Sequence, residues 1–338
     1  MSPRQRVLEA LAHRGAFPWQ IDMTGAFARK LAAHAGCRDP DAYLGNHMVR
    51  AKYKANERLP DGKEVDLFGV TWAADPSGGD VGIVTGFPMR DATGFEDYTL
   101  PAVRHDFAAE LCDRLEQRAG DRFTLFSLTM CFFERAWSLR TMENILMDMA
   151  GNEAFARELF DRIEAHHMEL LDAVLDRDFD GVYFGDDWGQ QRGLIMGPPL
   201  WRKFIKPAFS RMFDKVKRKG KFVCLHSCGD NREIFPDLVD MGMDIYNTLQ
   251  PEIYDLETMK REYGSHVTFY GGISTQQFLP FASPGQVRDK TREVAGVLGE
   301  GGGYIVAPTH AVTADIPVGN VLAMVETIRD ELQPVNKE

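Results

Sequence analysis

From about residue 105 onward, helical patterns alternate with short apolar runs, and this alternation limits the possible folds more than any other feature of the sequence. We predict strands at 123–130, 181–187, 221–228, 243–249, 267–273 and 304–310. Continuously apolar strands that alternate with helices are typical of a parallel sheet covered on both faces. A chain of 338 residues is long enough for one α/β barrel. The pattern therefore predicts an α/β fold with a parallel sheet, arranged either as one barrel or as two domains.

The first hundred residues are less regular. FPWQIDM (17–23) fits a first barrel strand, whereas residues 40–100 contain scattered Gly, Pro and Asp, with a hairpin expected around DPSGGDVG (75–82). We expect 40–100 to form an irregular segment that covers the mouth of the barrel. Further on, residues 199–220 have apolar positions at helical spacing and a basic last turn closed by Gly220, which predicts a helix.

Charge, hydropathy and cysteine content limit the classes of partner and the cellular compartment that we expect for this protein. The formal net charge of −11 argues against nucleic-acid binding, which depends on basic side chains. MSPRQRVLEALAHR lacks a signal-peptide core, and no run of about 18 uncharged apolar residues follows, so we expect a cytoplasmic protein without a membrane partner. Five cysteines in a chain of this length fit reduced thiols better than a disulfide framework.

Most predicted strands become polar at their last one or two residues or just beyond them. The polar residues at these ends are Asp186, Asp187, His226, Cys228, Asn247, Gln250, Ser274 and His310. The carboxyl ends of parallel barrel strands converge on one face, where the active site of this fold lies. We therefore expect these side chains to form one constellation.

His226 and Cys228 are the most informative members. Residues two apart in a strand point the same way, so an imidazole and a thiol would share one pocket. A catalytic zinc site usually takes three protein ligands and leaves one position open, and His310 is the best third donor. The alternatives are a His–Cys pair that bonds only to neighbouring backbone, and a neutral His310 that hydrogen-bonds substrate without a metal.

Asp186 and Asp187 are candidates for acid–base chemistry or for orienting a ligand imidazole, unless one of them caps the helix or turn that follows the strand. Only one of two neighbours can point inward, and we favour Asp187. Trp188, Gln190 and Arg192 follow on the same loop and are predicted to bind substrate at the mouth; a solvated loop is the alternative.

Several segments together resemble the uroporphyrinogen decarboxylase superfamily. The segments are SPRQRVLEALAHR, HSCGD, MDIYNTLQPE, VTFYGGIST and GGGYIVAPTHAVTADIPVGNVLAMVE. The match is best over residues 180–330. The similar N-terminal start extends the resemblance over residues 1–338, and the resemblance implies a single domain with the fold of a (β/α)8 TIM barrel. It also implies one of two activities: metal-free decarboxylation in haem biosynthesis, or zinc-dependent methyl exchange with a corrinoid.

Residues of this sequence favour the methyltransferase branch. That branch carries His-x-Cys on a middle strand, matched here by His226 and Cys228, whereas the arginine-rich motif of the decarboxylases is missing from FPWQIDMTGAFARK. The methyltransferases carry a cysteine at the end of the last strand, where this sequence has His310. The decarboxylases also have a histidine there, so His310 by itself does not indicate a metal.

The resulting hypothesis is a methyltransferase with zinc on His226, Cys228 and His310, with Asp187 and Asp22 as catalytic candidates and Asn247 as a further substrate contact. It would exchange a methyl group between a small, methoxylated substrate and a corrinoid. The sequence lacks the D-x-H-x-x-G corrinoid-binding motif, so the corrinoid would arrive on a separate protein or as free cobalamin. The alternatives are a metal-free decarboxylase, with Asp22 or Asp187 near the pyrrole nitrogens, and a barrel that binds a corrinoid protein or tetrapyrrole without turnover. A homodimer is left open.

Overall fold

The computed structural model describes residues 1–74 and 82–333. The tip of the hairpin predicted around DPSGGDVG lies outside these residues. The strands are β1 (Met48–Lys52), β2 (Asn56–Arg58), β3 (Glu64–Asp66), β4 (Thr71–Ala73), β5 (Ile83–Gly86), β6 (Phe123–Thr129), β7 (Gly181–Gly185), β8 (Gly189–Gln190), β9 (Gly193–Leu194), β10 (Phe222–His226), β11 (Ile245–Leu249), β12 (Thr268–Ile273) and β13 (Tyr304–Pro308).

The α-helices are α1 (Pro3–Leu11), α2 (Gly25–Ala35), α3 (Pro40–Leu44), α4 (His105–Ala119), α5 (Phe133–Arg140), α6 (Met142–Gly151), α7 (Glu153–Val174), α8 (Gly197–Leu200), α9 (Lys206–Arg218), α10 (Phe235–Asp240), α11 (Leu256–Tyr263), α12 (Pro284–Leu298) and α13 (Val318–Thr327). Among the helices of the described chain, none combines the length and the apolar character that crossing a bilayer requires.

Seven strands form one sheet in the order β1-β6-β7-β10-β11-β12-β13. The register is parallel in the pairs β6–β7, β7–β10, β11–β12 and β12–β13. The segment around Trp19 adds an eighth position, because Trp19 bridges Val306 of β13 in parallel. Parallel strands alternating with helices confirm the predicted TIM-barrel fold.

Backbone contacts divide the chain into two compact units. Unit 1 comprises Met1–Val49, Ala119–Thr124 and Asp244–Glu338, and unit 2 comprises Arg50–Arg118 and Leu125–Met243. The interpretation of residues 1–338 as a single domain stays a prediction.

In unit 1, the predicted first strand at 17–23 is present as short bridges. The Gln20 N–H donates to the Val306 carbonyl at 3.1 Å, and the Val306 N–H donates to the Pro18 carbonyl at 2.8 Å. Met23 bridges Val312 further along. Because Pro18 has no N–H, this segment cannot form a full ladder.

In unit 2, the helix predicted over 199–220 is present but interrupted: α8 is followed by a π-helical turn at Trp201–Ile205 and then by α9. Gly220 adopts a left-handed φ of 68° just beyond the helix, as a closing glycine does. Phe209 and Phe213 of α9 pack against Phe184 of β7. This contact fixes which face of β7 points toward the helices.

The prediction of an irregular segment over 40–100 is wrong in part. Residues 48–52 are the barrel strand β1, and β2 to β5 pair in order as an antiparallel sheet. The sequence pattern does not predict strand β1, because MVRAK carries charged residues instead of a continuous apolar run. Within unit 2 the small sheet is anchored by a buried ion pair, Asp66 with Arg135 at 2.7 Å. That this segment covers the barrel mouth stays a prediction.

Acidification is expected to destabilise the fold through His167 on α7. Its side chain is 5% exposed, and burial lowers the pKa of this imidazole to about 3. The unfolded chain, with a histidine pKa of about 6.5, takes up the proton first as the pH falls. Stability from this group is complete above about pH 6.5 and declines toward pH 3, by about 2 kcal/mol at pH 5. Urea unfolding at pH 7 and pH 5 measures the difference.

The matched variants are His167→Gln and His105→Gln. The His105 side chain is 58% exposed, so His105→Gln is the control for replacing a histidine at the surface. His167→Gln should reduce the difference between the two pH values; an undiminished difference would contradict the assignment.

Candidate metal centre

The structure brings the side chains of His226 and Cys228 together. His226 is the last residue of β10, and Cys228 lies two residues beyond it. The Cys228 Sγ is 3.6 Å from the His226 Nε2, and both residues are half-buried. A thiol and an imidazole nitrogen therefore point at the same small volume.

The three predicted ligands fit a zinc ion by their chemistry. Tetrahedral coordination with Zn–S of about 2.3 Å and Zn–N of about 2.0–2.1 Å holds sulfur and nitrogen roughly 3.6 Å apart. His310, the third predicted ligand, is exposed and follows β13 in unit 1, and its part in the site stays a prediction. Two imidazoles and one thiolate form a donor set that zinc accepts.

Asp187 contacts both residues of the His–Cys pair. Its Oδ1 accepts the Cys228 backbone N–H at 2.8 Å and lies 3.7 Å from the His226 Nε2. The aspartate thus fixes the backbone from which the thiol projects. Its approach to His226 is to the same ring nitrogen that faces the Cys228 sulfur.

Two glycines bring the loop after β7 against the loop after β10. Gly229 has φ of 81°, and a Cβ on it would lie 2.1 Å from the Gly189 carbonyl carbon. A Cβ on Gly189 would meet the backbone of Asp230 and Gly229 at 2.5 Å. This close crossing, closed by the Gly189 N–H donating to the Cys228 carbonyl at 3.2 Å, holds Cys228 beside Asp187.

Asp186 has a different role from its neighbour. Its buried carboxylate accepts the backbone N–H groups of Phe132, Phe133 and Glu134, each at 2.9 Å, and the Trp188 Nε1–H at 2.6 Å. It therefore caps the first turn of α5, which follows β6, whereas the capping alternative predicted a cap on the helix or turn after the strand that precedes Asp186. Burial raises the pKa of Asp186 to about 6 against these donors.

Trp188 does not line the mouth as predicted. Its side chain has no exposed surface and packs edge-on against Trp201 and Phe209, so it offers no face to a ligand. The chain turns inward after β7, and the sequence does not reveal this turn. Gln190 and Arg192 are exposed on the short β8–β9 hairpin, and their role in substrate binding stays a prediction.

Asp22 and Asn247 both contact Tyr270 within unit 1. The Tyr270 hydroxyl donates to the Asp22 Oδ2 at 2.9 Å, and the Asn247 Nδ2 donates to the Tyr270 carbonyl at 3.1 Å. Their predicted catalytic and substrate-binding roles stay predictions.

Sequence reasoning missed Glu134, on the first turn of α5 directly after the loop that follows β6. Desolvation, followed by the negative charges of Asp187 and Asp186, raises the pKa of its carboxyl well above the ordinary value. Perturbed carboxyls of this kind concentrate at functional sites. Its position a few residues beyond a barrel strand end was the signal that could have identified it.

Comparison with known proteins assigns the family. The family model for uroporphyrinogen decarboxylase (URO-D) matches residues 65–331. The chain belongs to this family. Relatives within it have different activities.

Methylcobamide:CoM methyltransferase MtaA of Methanosarcina barkeri is 29% identical over 138 residues, which is 40% of this chain and 38% of that protein. Uroporphyrinogen decarboxylase of Coxiella burnetii is 22% identical over 287 residues, which is 80% of this chain and 74% of that protein.

A solved methyltransferase structure from Methanosarcina mazei shares the fold with a TM-score of 0.74 at 18% identity. The match covers 97% of this chain and 98% of that one.

Proposed function

We propose that this protein is a zinc-dependent methyltransferase that exchanges a methyl group between a small methoxylated substrate and a corrinoid. The observation that carries the proposal is the 3.6 Å approach of Cys228 Sγ to His226 Nε2, and we propose His310 as the third ligand. The similarity to a methylcobamide-dependent methyltransferase supports it from an independent direction.

The donor set favours an oxygen substrate. One thiolate and two neutral imidazoles leave a bound zinc with a formal charge of +1, whereas a second thiolate would neutralise it. The ion would act as a Lewis acid that polarises an ether oxygen. His226, Cys228 and His310 would hold it, leaving one position of a tetrahedral site for that oxygen.

Two aspartates would hold the backbone of the proposed metal site in place. Asp187 fixes the Cys228 backbone, and its negative charge beside His226 and Cys228 would favour a bound cation there. Asp186 holds the preceding backbone to α5, so Asp187 starts from a rigid strand end. We propose that the corrinoid is carried by a separate protein or is free cobalamin.

Metal-free decarboxylation is the second candidate, favoured by the decarboxylase relative aligned over 80% of this chain. In that reaction Cys228 would have no part. The methyltransferase should therefore contain zinc, whereas the decarboxylase should not require it.

The proposed function is tested by measuring zinc per chain and following corrinoid absorbance. We expect about one zinc per chain and conversion of cobalt(I) corrinoid to methylcorrinoid in the presence of a methoxylated compound. Chelation should stop the reaction, and added zinc should restore it. Purified protein without zinc that releases carbon dioxide from a tetrapyrrole would instead establish the decarboxylase.

A further inference from the structure

Glu134 contacts the backbone of Asp187 within unit 2. Glu134 lies on the first turn of α5, and Asp187 follows β7. The Glu134 carboxylate accepts the backbone N–H of Asp187. The Glu134 N–H in turn donates to the carboxylate of Asp186 at 2.9 Å. Two hydrogen bonds between a carboxylate and a backbone N–H therefore join α5 to the end of β7.

The same series of hydrogen bonds continues to the candidate metal ligands. The Asp187 Oδ1 accepts the Cys228 N–H at 2.8 Å and lies 3.7 Å from the His226 Nε2. Glu134 thus binds the backbone of the residue whose side chain binds the backbone of Cys228. A displacement of the Asp187 backbone would therefore displace the segment that carries the thiol.

Stabilisation of α5 alone does not require this orientation of Glu134. An acidic side chain in the first turn stabilises a helix through the helix dipole while it stays exposed to water. The Glu134 side chain is instead half-buried, and desolvation, followed by the charges of Asp187 and Asp186, raises the pKa of its carboxyl. Holding a carboxyl beside two others is unfavourable. The hydrogen bond to Asp187 is the contact that this orientation provides.

We propose that Glu134 is a positioning residue of the candidate metal site, which fixes the Asp187 backbone and, through it, the Cys228 thiolate. The inference rests on the proposed function for the presence of a metal, whereas the hydrogen bonds stand without it. Because Glu134 acts through a backbone N–H, the position of its acceptor oxygen should matter more than its charge.

Two substitutions distinguish the effect of position from the effect of charge. Glu134→Asp keeps the charge, but its side chain is one methylene shorter and should not reach the Asp187 N–H. Glu134→Gln loses the charge, but its amide oxygen still accepts that N–H. We expect Glu134→Asp to lower zinc affinity by about 10–100-fold and Glu134→Gln to lower it by less than about threefold. Competition for zinc against a chromophoric chelator measures both affinities.

Cobalt(II) in place of zinc gives a readout that a purely structural role of Glu134 would not change. The absorption bands of bound cobalt(II) report the thiolate ligand and the coordination geometry. Glu134→Asp should weaken the thiolate-to-cobalt band, and Glu134→Gln should keep it. In the metal-free protein, the Cys228 amide hydrogen should exchange faster in Glu134→Asp than in the native protein.

Glu143→Asp is the matched control, since Glu143 is an exposed glutamate on the first turn of α6. It should leave the zinc affinity, the cobalt bands and the amide exchange unchanged. Native zinc affinity and cobalt bands in folded Glu134→Asp would overturn the inference. An equal loss in Glu134→Gln would also overturn it, because charge would then be the cause.

The inference and the proposed function can fail separately. A native protein that binds zinc but transfers no methyl group, and that loses zinc affinity in Glu134→Asp, would support the inference and reject the proposed function. Methyl transfer by a zinc-containing Glu134→Asp variant with native affinity would do the opposite. A native protein that binds neither zinc nor cobalt would reject both.

Discussion

Replacement of Cys228 by serine is expected to lower zinc affinity at least about a hundredfold and to abolish methyl transfer with it. The substitution removes a thiolate, which carries the negative charge of the donor set, and puts a neutral hydroxyl in its place. The Cys228 backbone N–H that Asp187 accepts is retained, so the change is confined to one ligand atom. Competition for zinc against a chromophoric chelator measures the affinity.

Cys37→Ser is the matched control, because Cys37 is a free cysteine that is not among the candidate ligands. It should bind zinc like the native protein. His310→Ala adds a second measurement, and it should also weaken zinc binding if the exposed imidazole completes the donor set. Undiminished zinc in Cys228→Ser would exclude the proposed centre.

The buried strands could be predicted from the sequence because each is a continuous apolar run. The predicted run 304–310 became β13, Tyr304–Pro308, with every residue buried. The His-x-Cys spacing also predicted that the two side chains lie close together. However, β10 ends at His226, and Cys228 lies beyond the strand, where the Asp187 carboxylate accepts its backbone N–H.

Other features depend on packing that no local pattern contains. β1 was missed because Arg50 and Lys52 interrupt its apolar pattern. Trp188 was placed at the mouth because a residue after a strand end is usually exposed, yet Trp201 and Phe209 bury it. The different contacts of Asp186 and Asp187 likewise depend on packing, because Asp186 caps α5, which is distant in sequence.

Replacement of Asp186 by alanine is expected to lower the free energy of unfolding by about 3–5 kcal/mol. It would leave the backbone N–H groups of Phe132, Phe133 and Glu134 and the Trp188 indole N–H without their buried acceptor. Each unsatisfied buried donor costs about 1–3 kcal/mol before the structure relaxes. Urea unfolding near pH 7 measures the loss.

Asp186→Asn distinguishes the contribution of the carboxylate charge to stability from the contribution of its acceptor oxygen. The amide keeps one acceptor oxygen but loses the charge, so a loss between those of the native protein and Asp186→Ala is expected. Asp289→Ala, at a side chain 80% exposed on α12, should change stability by less than about 0.5 kcal/mol. If Asp186→Ala unfolds at the same urea concentration as Asp289→Ala, the cap on α5 does not stabilise the fold. Some other contact would then have to fix the end of β7, from which Asp187 reaches the Cys228 backbone.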